Sequence, residues 1–153
     1  MVLPAFTRGK APAIVRWASV ALLALTIPLV LAASAAPPSS LSAVPDTVLG
    51  IPADLVGHFL MYAALGAELT LVLAAFGMVR RYPIGAAGLA ICACAGYGFL
   101  MEVYQRFVPG RDASWADVAA NSLGAAVGVL AVTAAAVLIR WGALSMTPGK
   151  LGE

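Results

Sequence analysis

The stretch Ala116–Arg140, ADVAANSLGAAVGVLAVTAAAVLIR, decides what kind of fold this chain can adopt. It carries no charge between Asp117 and Arg140, and as a helix it is long enough to cross a hydrocarbon layer, which takes about 20 mainly apolar residues. Working outward, three more such stretches precede it: Ile14 to Ala36, Leu55 to Val79, and Ile84 to Gln105. Breakers separate them. Pro37-Pro38-Ser39-Ser40, Pro45 and Pro52 make one long loop, because proline fixes φ and lacks an amide donor. Arg80-Arg81-Tyr82-Pro83 reads as a short turn, and Val108-Pro109-Gly110 interrupts the chain before the last stretch. No internal repeat is evident. The predicted fold is all-α: an integral membrane bundle of four transmembrane helices at about 14–36, 55–79, 84–105 and 116–140. An N-terminal tail, 1–13, precedes this membrane domain of 14–140; a C-terminal tail, 141–153, follows it and frays from Gly142.

Composition agrees with this reading. Of 153 residues, 62% are hydrophobic and only 10% charged, with a mean hydropathy of +0.96; a soluble domain carries about 25% charged residues. An ordinary soluble globule and a disordered chain are both excluded. Nine basic and seven acidic residues give a net charge of +2, without the concentrated basic face of a nucleic-acid binder, so the lipid bilayer is the first partner. Cys92 and Cys94 lie in an Ala-Cys-Ala-Cys-Ala run, turned about 200° apart on a helix. They cannot place two ligands on one face, and they are read as small packing residues without a function.

Basic residues near the span ends set the expected orientation, since they accumulate on the cytoplasmic side. Seven (Arg8, Lys10, Arg16, Arg80, Arg81, Arg140 and Lys150) fall on one side, against Arg106 and Arg111 on the other. Both termini are therefore expected in the cytoplasm (N-in/C-in), in the plasma or inner membrane. Trp17, Tyr82 and Trp141 then mark inner interfaces, and Tyr104 and Trp115 outer ones, as amphipathic rings prefer. A competing reading makes the first stretch a signal peptide, because it closes on Ala33-Ser34-Ala35. Its apolar run exceeds the ~7 to 15 residues of a signal core, which favours a retained helix.

The remaining polar residues gather at the expected outer ends. Asp54 and His58 open the second span, Glu102 and Gln105 close the third, Asp117 and Asn121 open the fourth, and Arg111 lies in the loop between the last two. Asp54, His58, Tyr62, Leu65 and Glu68 share about a 120° arc of their helix, and Asp117, Asn121, Gly124 and Gly128 about 60° of theirs. Ionisable side chains in hydrocarbon are costly unless paired or hydrated, so these should turn toward one another in a shared, outward-facing pocket. The small residues of Gly124-x-x-x-Gly128, with Gly96 and Gly98, would let helices approach closely beneath it.

His58-Phe59-x-x-Tyr62 after Asp54, Glu102-x-x-Gln105, Pro109-Gly110-Arg111, Asp117-x-x-x-Asn121 and Gly124-x-x-x-Gly128 together resemble the VanZ-like family of small bacterial membrane proteins, over roughly Asp54 to Gly128. The chain departs from that pattern at Leu55, where family members often carry lysine, and at Asp112, where a small hydroxyl residue is common. The resemblance implies a helical membrane domain, in a family whose founding member is linked to low-level teicoplanin resistance.

The pocket residues admit two chemical readings. In the first, His58 and Glu102 exchange protons, Arg111 (with Arg106) holds a phosphate or carboxylate, and Gln105, Asp117, Asn121, Asp54 and Tyr62 orient the substrate. The ligand would be an anionic lipid or a lipid-linked envelope precursor. In the second, the same groups satisfy one another at helix ends in a non-enzymatic module that shields a lipid or assists a partner protein. Whether the protein is an enzyme stays open between them. Ion or proton passage through Glu68 is a third reading, disfavoured by the lack of an inverted repeat. Asp54, His58, Glu102 and Asp117 could all ligate a cation, but compact zinc motifs are absent, so no metal and no cofactor is assigned.

Overall fold

The computed structural model describes residues 11–36 and 46–145. Four helices there are long and apolar enough to cross a membrane: α1 (Ala13–Ala35), α2 (Ala53–Ala75), α4 (Pro83–Gln105) and α5 (Trp115–Ser145, its apolar part ending at Ile139). A single turn of helix, α3 (Met78–Arg81), joins α2 to α4. A two-residue ribbon, β1 (Thr47–Val48) with β2 (Ile51–Pro52), precedes α2. Leu49 and Gly50 turn it with positive φ of 54° and 79°, the backbone of a tight hairpin. The prolines at 37–45 and the tails at 1–10 and 146–153 lie outside the described residues.

Two helix ends differ from expectation. The second span stops at Ala75 rather than Val79, because Gly77 takes a left-handed φ of 84° and its amide turns back to the Ala74 carbonyl at 2.9 Å. Helix then restarts at Met78, and Pro83 opens α4 at its first turn, where a missing amide is harmless. At the other end of the chain, α5 continues past Arg140 and through Gly142 to Ser145 instead of fraying at Gly142.

α1 and α4 run toward one end of the bundle, and α2 and α5 start from that end. The near end is tied by Arg111 Nε donating to the Ala36 carbonyl at 3.0 Å, and the far end by the Ala11 amide donating to Ala75 O at 3.0 Å. α2 and α5 are thus parallel neighbours, and glycine brings their backbones together. A Cβ on Gly124 or Gly128 would fall on the carbonyl of Phe59 or Ala63, and one on Gly66 would stand 2.6 Å from Ala125 O. The close approach read from Gly124-x-x-x-Gly128 is present; at Gly96 it is not, since nothing lies within 4 Å of a Cβ there.

Val30, Tyr62, Leu65, Cys94 and Ala125 form the central core, drawing on all four long helices. The outer surface stays apolar, with Ile84 at 88% and Leu138 at 69% exposure, as a lipid-facing wall requires.

Candidate functional site

The site forms because two parallel helices leave one end together. His58 lies five residues into α2 and Asn121 six into α5, so at about 1.5 Å per residue both sit some 8–9 Å below the helix starts. There His58 Nδ1 donates to Asn121 Oδ1 at 3.0 Å. α4 arrives from the opposite direction and delivers Glu102 and Gln105 on its last turn, both buried. Glu102 Oε1 stands 3.8 Å from His58 Nδ1, and Asp117 Oδ2 stands 4.0 Å from His58 Nε2. The imidazole therefore lies between two carboxylates, one near each nitrogen.

Glu102 is held from two further sides. The Ser114 amide donates to Oε2 at 3.3 Å, and the Gln105 amide, its nitrogen turned to the carboxylate, donates to the two oxygens at 3.1 and 3.2 Å. Ser114 also receives the Ala116 amide on its hydroxyl at 3.1 Å, as residues preceding a helix do. Asp117, in the first turn of α5, sits where the helix dipole favours negative charge. One nitrogen of His58 and one oxygen each of Glu102 and Asp117 lie within 4.8 Å of one another, all three residues being buried. Beneath them Tyr62 and Asn121 flank Gly98: a Cβ there would stand 3.1 Å from Tyr62 Cε1 and 3.2 Å from Asn121 Nδ2. Among the described residues, neither the Tyr62 hydroxyl nor Asn121 Nδ2 has a hydrogen-bond partner.

The structure thus gathers His58, Glu102, Gln105, Asp117, Asn121 and Tyr62 into one polar cluster inside membrane-length helices. Other expected members stand apart. Asp54 is exposed at the start of α2, where its carboxylate accepts the Leu55 amide at 2.8 Å. Arg111 turns toward α1, donating from Nε to Ala36 O at 3.0 Å and from a terminal nitrogen to Ala33 O at 3.3 Å. Glu68 lies ten residues beyond His58, about 15 Å further along α2.

Sequence reasoning missed Ser114 and the groove beside it. The signal for Ser114 is Ser114-x-x-Asp117, a helix-start pattern before an apolar run. The groove, about 170 Å³, opens sideways between α4 and α5, with Phe99, Val103, Trp115 and Val118 as apolar wall and Glu102 and Arg106 as polar members. Phe99 and Trp115 stack at its mouth with ring centroids 6.5 Å apart. No simple sequence signal announces it, because its walls come from two helices.

A family model described as VanZ/LLP1 matches residues 17–139. Neither a curated protein nor a solved structure matches the chain. The matched span reaches into all four bilayer-length helices and includes every residue of the His58 cluster, and the chain is a multi-pass membrane protein that belongs to the VanZ/LLP1 family.

Proposed function

We propose that this protein resides in the plasma membrane with both termini in the cytoplasm, and that its polar cluster recognises an anionic lipid or lipid-linked envelope molecule at the outer leaflet and acts on it by proton transfer. One observation carries the reading: Glu102 belongs both to the buried His58 cluster and to the lateral groove. An apolar chain lying along Phe99, Val103 and Trp115 would bring its headgroup to Glu102, with Arg106 at the rim as a phosphate contact. His58 and Glu102 are the acid/base pair; Asp117, Asn121 and Gln105 hold them. Envelope chemistry of this kind is consistent with the glycopeptide resistance attached to the family's founding member.

Untargeted lipid analysis of the purified protein tests this, comparing wild type with Arg106→Ala. The expected result is a phospholipid or isoprenoid phosphate enriched with the wild type and depleted in the variant. Equal lipid content in the two samples would remove the proposal.

A non-enzymatic module is the second reading, favoured by Arg111, whose guanidinium joins the interhelical loop to the end of α1. It predicts that His58→Ala lowers stability and lipid retention together, whereas the first predicts loss of turnover with lipid still bound.

A further inference from the structure

The geometry points to a binding site for one divalent transition-metal cation, Mn2+ or Zn2+, held by His58, Glu102 and Asp117. Three donor atoms that all lie within 4.8 Å of one another share a point within about 2.8 Å of each. Shifts of about 0.6–0.8 Å bring that to the 2.0–2.2 Å of metal–nitrogen and metal–carboxylate bonds. One imidazole and two carboxylates form a mixed, borderline-hard set, suited to Zn2+ or Mn2+ rather than to a soft thiophilic ion. Three protein donors leave coordination positions open for an exogenous ligand.

The surroundings carry the inference further than the triad alone. A metal-bound histidine usually donates its other ring N–H to a fixed acceptor, and His58 Nδ1 already donates to Asn121 Oδ1 at 3.0 Å. Nε2 is then the ligating nitrogen, beside Asp117, and Glu102, 3.8 Å from Nδ1, must turn toward Nε2 to share the ion. Ligating carboxylates are themselves hydrogen-bonded, and Glu102 accepts from Ser114 and Gln105. Asp117, only 7% exposed, has no side-chain hydrogen bond among the described residues; His58 Nε2 lies 4.0 Å away, and the Asp54 and Arg111 charges act on it from further off. The Arg111 charge reaches Glu102 and Asp117 only from a distance, its guanidinium being tied to α1, whereas a divalent ion between the two buried carboxylates would bind both directly. Asn121 Nδ2 and the Tyr62 hydroxyl, each 1% exposed by residue and unpartnered, lie one helical turn below Glu102 beside Gly98, where an oxygen bound to the ion would give them an acceptor.

The inference deepens the lipid reading. It moves His58 and Glu102 from proton exchange to ion binding, and it supplies the attraction for an anionic headgroup that Arg111, turned to α1, does not. Ion binding is nevertheless measurable without lipid. The full chain, purified in detergent, delipidated and stripped by chelation, is titrated with Zn2+ by calorimetry and with Mn2+ by electron paramagnetic resonance. One ion per chain is expected, each metal displacing the other. Asp117→Asn and Glu102→Gln should each weaken binding by at least about tenfold, and Asn121→Ala by about tenfold. Unchanged affinity in the two carboxamide variants, or no stoichiometric ion on the wild type, overturns the site.

Circular dichroism reports whether the variants fold. If they do not, pulsed resonance on Mn2+-loaded wild type decides: imidazole nitrogen coupling is expected, and its absence overturns the assignment. Vesicles of phosphatidylglycerol and free inorganic phosphate, added in separate arms, then separate lipid recognition from ion binding. An ion bound with no vesicle dependence leaves the metal site standing and removes the lipid reading. Lipid retained after chelation, with no ion bound, does the reverse.

Discussion

Arg111 carries five N–H donors, and the fold directs two nitrogens of its guanidinium at the last carbonyls of α1. Ala33 O otherwise meets only the Ala36 amide of the helix cap, at 3.3 Å, so the contact closes the C-terminus of α1 as well as joining it to the loop before α5. Arg111→Ala should lower stability by about 1–2 kcal/mol, read as a reduced melting temperature in detergent. Arg111→Lys should recover only part of it, because an ammonium cannot reproduce a planar two-point contact. His58 makes a different prediction. If its imidazole transfers protons during turnover, His58→Ala lowers activity on the envelope substrate by at least about 100-fold while circular dichroism and lipid content stay near wild type; if it holds an ion that attracts the headgroup, lipid content falls as well. A parallel collapse of helicity would assign His58 a structural task instead. Both residues were legible in the sequence as polar groups at span ends. The acceptors of Arg111 were not, since nothing local relates it to carbonyls more than 70 positions earlier.

Between elements, the determining contact is the α2–α5 seam. Gly124 and Gly128 face backbone carbonyls rather than flexible side chains, so an added methyl must push whole helices apart. Gly128→Ala is expected to destabilise the protein by about 1–3 kcal/mol, and Gly128→Val by more, measured by thermal unfolding in detergent. The same change at Gly96, which meets nothing within 4 Å, should be nearly neutral and serves as the control. Loss of the seam would also separate His58 from Asn121, so ion or lipid binding should fall with stability. For α1, the Tyr97 hydroxyl donates to Ile27 O at 2.9 Å, Arg111 holds its end, and the family match begins inside it at residue 17. We therefore expect mass spectrometry of protein isolated from membranes to find α1 attached; a mature start near Ala36 would contradict this. The end of α2 was the least legible boundary, because Phe76-Gly77-Met78 is apolar enough to continue a span. Only the left-handed backbone at Gly77 stops it.

At the scale of the whole molecule, the basic residues predict an orientation that the bundle makes testable. Arg16, Arg80 and Arg81 lie toward the end opposite the cluster, and Asp112 lies in the loop above it. With Cys92 and Cys94 replaced, Asp112→Cys should react with an impermeant thiol reagent on intact cells, and Arg81→Cys only after lysis. The reverse pattern would put the cluster at the cytoplasmic face and end the outer-leaflet reading.

Hydropathy and breakers alone determined that this chain makes four membrane-crossing helices, because crossing a bilayer depends on length and apolarity, both local properties. Polar residues at span ends likewise named most of the cluster, since an ionisable group in hydrocarbon must find company. Which of them meet was decided only by tertiary structure. Helical position puts Asp54 and Asp117 on equal terms, yet the way α4 packs against the paired starts of α2 and α5 buries Asp117 beside His58 and leaves Asp54 in the open. Arg111 was drawn to α1, and the groove at Glu102 arose from two walls far apart in the chain. Distances between side chains on different helices depend on packing angles and small-residue seams, and those are set by the fit of whole surfaces rather than by any one stretch of sequence.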